Sequence, residues 1–332
     1  MENCVALVLA AGFGKRLQPA TLVRPKPLIP VAGVEPLFYS LYRLQNSGIK
    51  NVFVNIHYKG EQIVEALSEW KDLLPNLEIK ILDERDKILG TGGSILKLLR
   101  EEQSVLSSRG LLVQNSDTIS NLQLNELINS KYSAFALSSN EEFLKRYFPI
   151  WIDSDSRYVG VGANPPGVTC SPRHFLGSHF INYSSLLELN RLKLELSEID
   201  LFNGVYRPLI SKGQVFKGID LLDSNNEQFW FDMTNKEFLL EAQKKLFSDY
   251  LHKEWSSVLQ ARYPGIKKIG KNIFLRCCDR DVKNISQHNL EGPAVIVGDG
   301  PVLSSKHSFG PNLTWVSSCL LYTSPSPRDS CA

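Results

Sequence analysis

"LVLAAGFGKRLQPATLVRPKPLIPVAG", residues 7–33, decides how this chain is read. An apolar run passes directly into a stretch that holds four cations, Lys15, Arg16, Arg24 and Lys26, and no acid. A loop placed for solubility would mix both signs, so this one is suited to receive an anion. Gly12 and Gly14 lack Cβ atoms and let successive amides turn inward as an anion-binding nest. Neither common phosphate loop fits. A dinucleotide fingerprint needs a third glycine where Leu17 stands, and a Walker loop needs G-x-x-x-x-G-K-[ST], which is absent.

The segments around this stretch alternate. "CVALVLA" (4–10), "NVFVNIH" (51–57), "LEIKILD" (77–83) and "GLLVQNS" (110–116) are short, rich in Val, Ile and Leu, and bounded by turn residues. Between them, "PLFYSLYRLQNSG" (36–48), "GEQIVEALSEW" (60–70) and "GGSILKLLREEQ" (92–103) carry apolar residues at helical spacing. Gly48 sits where a helix-ending glycine belongs. Strands separated by helices pair in parallel through right-handed crossovers. The expected fold is therefore α/β, a three-layer, Rossmann-like, mixed but mainly parallel sheet. Ligands in such sheets bind at the carboxyl ends of the strands, where loop 11–26 and the end of "LLVQNSD" both fall.

From about residue 133, "YSAFALSS", "FPIWID", "RYVGVGA" and "HFLGSHFINY" follow one another with little helix between. They predict an antiparallel lobe covering the active edge. "QVFKGI" (214–219) and "QFWFDM" (228–233) read as two more strands, and "NKEFLLEAQKKLFSDYL" (235–251) as a closing helix. A first domain is expected over 1–250 and a C-terminal extension over 251–316. In the extension, "IKKIGKNIFL" and "NLEGPAVIVGDGPVL" weakly resemble the hexapeptide pattern of a left-handed β-helix, although plain β-turns would look the same. The stretch 317–332 fits neither pattern. It resembles translated adapter sequence, and is set apart from the fold reading.

Composition narrows the partners. With 332 residues, 43% apolar and 22% charged, the chain can bury a sizeable core in about two domains. A net charge of +2 gives no reason to expect nucleic acid, so the cationic loop is a local feature. No apolar run approaches the ~20 residues of a membrane span. "MENCVALVLAAG" reads as a first strand rather than a signal peptide. Cys4, Cys170, Cys277, Cys278, Cys319 and Cys331 show no C-x-x-C spacing, so free thiols in a reducing, cytoplasmic setting are expected.

The run from Gly12 and Gly14 through Arg16, Pro19 and Thr21 to Arg24, Lys26 and Leu28 resembles the signature of the sugar-1-phosphate nucleotidylyltransferases. The likeness continues through "VNIHYKGEQI" (54–63), "LGTGGSI" (89–95), "LLVQNSDTI" (111–119) and "FWFDM" (229–233). It is nearest to the N-acetylmuramate-1-phosphate uridylyltransferase and mannose-1-phosphate guanylyltransferase branches. The resemblance implies the nucleotide-diphospho-sugar transferase fold. It also implies an enzyme that joins a sugar-1-phosphate to a nucleoside triphosphate and releases pyrophosphate.

By this resemblance Arg16 grips the triphosphate tail, and Lys26 holds the α-phosphate and the incoming sugar phosphate. Leu9, Ala10, Ala11, Gly12, Gly14, Lys15 and Arg16 would bind the nucleotide, together with Gly90, Thr91, Gly92, Gly93 and Asn115. Asp117 and Asp232 would hold Mg²⁺, which takes one or two carboxylates plus phosphate oxygens and water. The bland alternatives are helix-capping roles for both acids. After Asp232 the family's usual Gly-Thr-Pro is replaced: Met233, Thr234, Asn235 and Lys236 follow. The family's Glu-Lys-Pro lysine is missing too, and "GANPPG" (162–167) occupies roughly its place. Asn55 and His57 end a strand at the same edge, with His57 read as structural. Phe148, Trp151, Trp230 and Phe231 are read as core before sugar platform. A homo-oligomer stays open. So do two other readings: a non-catalytic regulatory relative that binds nucleotide or sugar phosphate, and a cytidylyltransferase acting on a non-sugar phosphate such as phosphocholine.

Overall fold

The computed structural model describes residues 4–222, 228–246 and 252–270, and the short strands 273–276, 294–297, 313–316 and 319–322. Strand β1 (Cys4–Leu9) is a continuous apolar run because both of its faces are covered. Ala6 and Val8 point into one core cluster, Val5 and Leu7 into the other. After a short helix α1 (Ala20–Val23), helix α2 (Pro36–Asn46) begins with proline in its first turn, and Gly48 follows its end at φ 80°. Then come β2 (Asn51–Ile56), α3 (Gly60–Glu69), β3 (Glu78–Asp83), α4 (Gly90–Glu101) and β4 (Gly110–Asn115). The four strands pair in parallel in the order β4-β1-β2-β3, as the alternating pattern predicts.

The second half departs from expectation. Short strand β5 (Thr118–Ser120) and helix α5 (Leu124–Ile128) lead to β6 (Ser133–Ser138), helix α6 (Glu141–Arg146), β7 (Ile150–Ile152) and β8 (Tyr158–Val161). Strand β9 (Ser171–Asn182), helices α7 (Tyr183–Arg191) and α8 (Arg207–Ser211), and β10 (Phe216–Asp220) follow. The predicted antiparallel lobe is mostly not separate. β9 inserts antiparallel between β4 and β6, and β10 adds parallel to β6, so the main sheet runs β10-β6-β9-β4-β1-β2-β3. Only β7 and β8 branch off, on the first residues of β9. β9 does both because it is twelve residues long. Its buried second half lies in the sheet, and its more exposed first half carries the branch.

Helices cover both faces. One core cluster joins α2, α3 and α10 (His252–Arg262) to the sheet, and the other joins α4, α7 and α8. Beyond β10, strand β11 (Trp230–Asp232) pairs with β5 and leads into α9 (Lys236–Leu246). Helix α10 lies past the boundary expected at 250, yet it belongs to the first unit. The Trp255 indole donates to the Ala32 carbonyl (3.0 Å), and Arg262 makes two bonds to the Glu35 carboxylate (2.8 and 2.9 Å).

A second sheet runs in sequence order through β12 (Lys267–Gly270), β13 (Ile273–Arg276), β14 (Ala294–Val297), β15 (Leu313–Val316) and β16 (Cys319–Tyr322). Its central pairs, β13–β14 and β14–β15, are parallel. β16, from the stretch set apart at 317, pairs antiparallel on the edge. The segments that connect these strands, on which the left-handed β-helix expectation also depends, lie outside the described residues. No helix among the described residues is long and apolar enough to cross a membrane.

Candidate active site

β1 ends at Leu9, and the chain turns across the carboxyl edge of the sheet. Gly14 makes the turn at φ 63°. A Cβ there would lie 2.8 Å from Thr21 Cγ2 and 3.0 Å from Lys26 Cβ, so both conformation and space demand glycine. The Thr21 hydroxyl donates to the Gly14 carbonyl (3.1 Å), and the Tyr58 hydroxyl donates to the Thr21 carbonyl (2.9 Å). These bonds fasten the loop to the chain leaving β2. Gly12, in contrast, stands open, with nothing within 4 Å of a Cβ built on it. Among the described residues, the amides of Gly12 and Phe13 have no partner and remain for an outside anion.

The cleft here measures about 280 Å³. Leu9, Ala10, Ala11 and Gly12 form one wall, Lys26, Pro27, Asn115, Ser116 and Asp117 another, and Asn55, Glu84, Ile88, Gly90 and Thr91 the remainder. Lys26 enters from a 3-10 turn (Lys26–Leu28), and its Nζ lies 2.5 Å from Oδ2 of Asp117. Lys15 and Arg16, on their own turn (Lys15–Leu17), are exposed and outside the cleft lining. Arg24 lines a different cavity, with Glu65 and Glu69.

Asp232 reaches Asp117 through strand pairing. β11 lies antiparallel to β5 with Asp232 opposite Thr118, and the Met233 amide donates to the Asp117 carbonyl (2.9 Å). The missing Gly-Thr-Pro turn is thereby replaced. A strand ladder sets the backbone, and the Thr234 hydroxyl donates to Oδ2 of Asp232. Burial, then the charge of Asp117, raises the Asp232 pKa above the usual carboxylate range. Among the described residues no three His, Cys, Asp or Glu side chains gather as a metal cage. Two carboxylates that repel one another nevertheless suit a hard divalent cation that takes its other oxygens from phosphate and water.

The turn at 90–93 divides in two. Gly90 and Thr91 line the cleft, but Gly92 and Gly93 do not. The Gly92 amide donates to the Ile199 carbonyl (2.9 Å), and a Cβ on Gly93 would lie 2.5 Å from the Ser197 carbonyl oxygen. These two glycines admit chain 197–200, not a ligand. The amides of Ala10 and Ala11 are also occupied, both donating to Asn55 Oδ1 (2.6 and 3.2 Å).

Asn55 is 3% exposed and organises this end of the cleft. Its Nδ2 donates to Glu84 Oε1 (3.1 Å) and to the Ser94 hydroxyl (2.9 Å). Glu84, which no motif in the sequence marks, is equally buried. Among the described residues its other oxygen, Oε2, has no hydrogen-bond partner, and burial raises the pKa of Glu84. The available signal was an acid placed directly after an apolar strand at the carboxyl edge. His57 Nδ1 lies 2.6 Å from the Glu84 carbonyl oxygen, the structural role expected of it. Trp230 is buried as expected, whereas Phe148 is 75% exposed and outside the core.

Residues 5–142 match the nucleotidyl transferase family. The chain is 26% identical to mannose-1-phosphate guanylyltransferase 1 of Arabidopsis thaliana over 305 residues, covering 90% of this chain and 78% of that protein. It is 39% identical to N-acetylmuramate alpha-1-phosphate uridylyltransferase of Caulobacter vibrioides over 118 residues, 35% of this chain and 46% of that protein. It is 36% identical to a probable mannose-1-phosphate guanylyltransferase 2 of Arabidopsis thaliana over 124 residues, 37% of this chain and 34% of that protein. The stronger matches thus span less than half of those relatives. Among solved structures, HddC from Yersinia pseudotuberculosis complexed with GMP-PN matches with a TM-score of 0.55 at 20% identity, covering 74% of this chain and all of that one. A putative glucose-1-phosphate thymidylyltransferase from Bacillus anthracis matches with a TM-score of 0.58 at 17% identity, covering 73% of this chain and 94% of that one. These two likenesses establish the fold alone.

Proposed function

We propose, from the match of residues 5–142 to the nucleotidyl transferase family, that this chain is a sugar-1-phosphate nucleotidylyltransferase. One observation carries the reading: an open cleft at the carboxyl edge where Lys26 meets Asp117, with Asp232 delivered beside it by β11. An oxygen of the sugar phosphate attacks the α-phosphorus of the triphosphate in line. The new P–O bond forms as the bond to the β-phosphate breaks, and pyrophosphate leaves with that electron pair. The attacking phosphate is already anionic, so no general base is required.

The protein's task is to hold two anions together. Lys26 supplies a compact charge that can follow the moving phosphoryl group. The open amides of Gly12 and Phe13 face phosphate oxygens. Arg16, exposed on the same loop, would close on the triphosphate tail. Asp117 and Asp232 would hold Mg²⁺, which supplies charge neutralisation between the reacting phosphates. Ala10, Ala11 and Ile88 give the base an apolar wall, and the unpartnered Glu84 oxygen an acceptor for a base N–H.

A screen of four nucleoside triphosphates against a panel of sugar-1-phosphates with Mg²⁺ tests the proposal through pyrophosphate release. One pair should turn over. Mg²⁺-dependent triphosphate binding without release across the panel would favour the non-catalytic relative instead. Turnover with phosphocholine alone would move the acceptor class.

A further inference from the structure

We infer that Lys26 holds the place of the divalent cation on Asp117 until a triphosphate arrives, so that metal binding is conditional on nucleotide. The inference rests on the proposed phosphate chemistry and goes beyond it. The Lys26 ammonium lies 2.5 Å from Oδ2 of Asp117, and the two side chains are 12% and 29% exposed, so solvent screens the pair only in part. A divalent ion needs that same oxygen and is repelled by the ammonium on it. The two aspartates differ here. Asp232 feels the charge of Lys26 but has no ion pair with it among the described residues; it accepts from the Thr234 and Tyr147 hydroxyls, which can stay in place while the carboxylate binds a metal. Of the two, only Asp117 is in direct contact with a cation among the described residues.

The latch has a natural release. Lys26 also lines the cleft, so anionic oxygens entering there compete for its ammonium, and its four-carbon stem lets it swing to them. The oxygen on Asp117 is then freed as the phosphates arrive with their own share of metal ligands. Before that, an ion must break a shielded charge-assisted hydrogen bond, one of the stronger kinds in proteins.

Mn²⁺ binding to the full chain, followed by electron paramagnetic resonance without nucleotide or sugar phosphate, is the test. Lys26→Met should bind Mn²⁺ about tenfold more tightly than wild type or more, the scale set by loss of one charge-assisted bond. Lys26→Arg, which keeps the charge, should bind as weakly as wild type. Equal affinity in Lys26→Met and wild type overturns the inference. Should Lys26→Met not fold, wild-type crystals soaked in Mn²⁺ alone decide it. An ion bridging Asp117 and Asp232 with Lys26 still paired overturns the inference, and an unbroken pair without the ion supports it. The outcome is separable from that of the proposed activity. Conditional Mn²⁺ binding with no pyrophosphate release anywhere in the panel would remove the activity and leave the latch, whereas turnover with unconditional Mn²⁺ binding would do the reverse.

Discussion

Two glycine-containing turns, one after β1 and one after β3, carry the same message in sequence and meet different fates. At 12–14 the turn stays open. Gly12 has free space around it, two amides await a partner, and Lys15 and Arg16 stand in solvent. At 92–93 the turn is closed, because chain 197–200 lies directly on Gly92 and Gly93. A glycine permits close approach by anything. Only the rest of the fold decides whether a ligand or the chain itself arrives.

The contrast can be broken at several points. The largest effect belongs to the open side. Lys26→Ala and Asp117→Ala should each lower kcat/KM for pyrophosphate release by roughly 10²–10³-fold with the thermal midpoint little changed, as loss of a preorganised charge in a cleft does. Wild-type turnover in both would remove the site.

The closed interior is next, and its sensitivity is to acid. His174 is 4% exposed among Phe143, Tyr147 and Trp230, with neither ring nitrogen bonded among the described residues, and burial lowers its pKa from 6.5 to about 4. His179, buried in the other cluster, is lowered to about 3. The unfolded chain takes up these protons near pH 6.5 and the native chain only well below. Stability is therefore level above 6.5 and falls as pH drops from 6.5 toward 4, by about 3 kcal/mol for His174. Urea midpoints measured from pH 7.5 to 4.5 should show this decline, shallower in a folded His174→Asn variant. A flat wild-type profile would show that the imidazoles are hydrated.

Smaller still is the effect of filling the closed turn. Gly93→Ala places a Cβ against the Ser197 carbonyl and should cost about 1–3 kcal/mol in urea unfolding. The smallest change is expected at the open turn, where Gly12→Ala should shift stability by less than about 0.5 kcal/mol while weakening triphosphate binding. Equal losses at Gly12 and Gly93 would erase the difference between the turns.

The first four strands, their helices and the position of the cationic loop were legible because each depends on local pattern: Val- and Ile-rich runs, helical spacing, the glycine after α2. The course of the antiparallel strands was not legible, because strand direction is not written in a strand. β9 reads the same as an isolated hairpin partner and as an insertion between β4 and β6. The sequence marked Lys26, Asp117 and Asp232 through motif likeness, but it could not show what would hold Asp232 once Gly-Thr-Pro was gone. Glu84 and Asn55 escaped notice as a pair, because their bond joins the ends of two neighbouring strands.

By itself, then, the sequence determined that an α/β sheet would end in a cationic, glycine-turned loop at its carboxyl edge, since periodicity, turn residues and charge are properties of neighbours in the chain. Only the tertiary structure decided which glycines face a ligand, that Lys26 rests on Asp117, and that β11 crosses to β5 to set Asp232 beside them. Those outcomes depend on contacts between segments tens to more than a hundred residues apart, and no local preference of the chain specifies such contacts before it has folded.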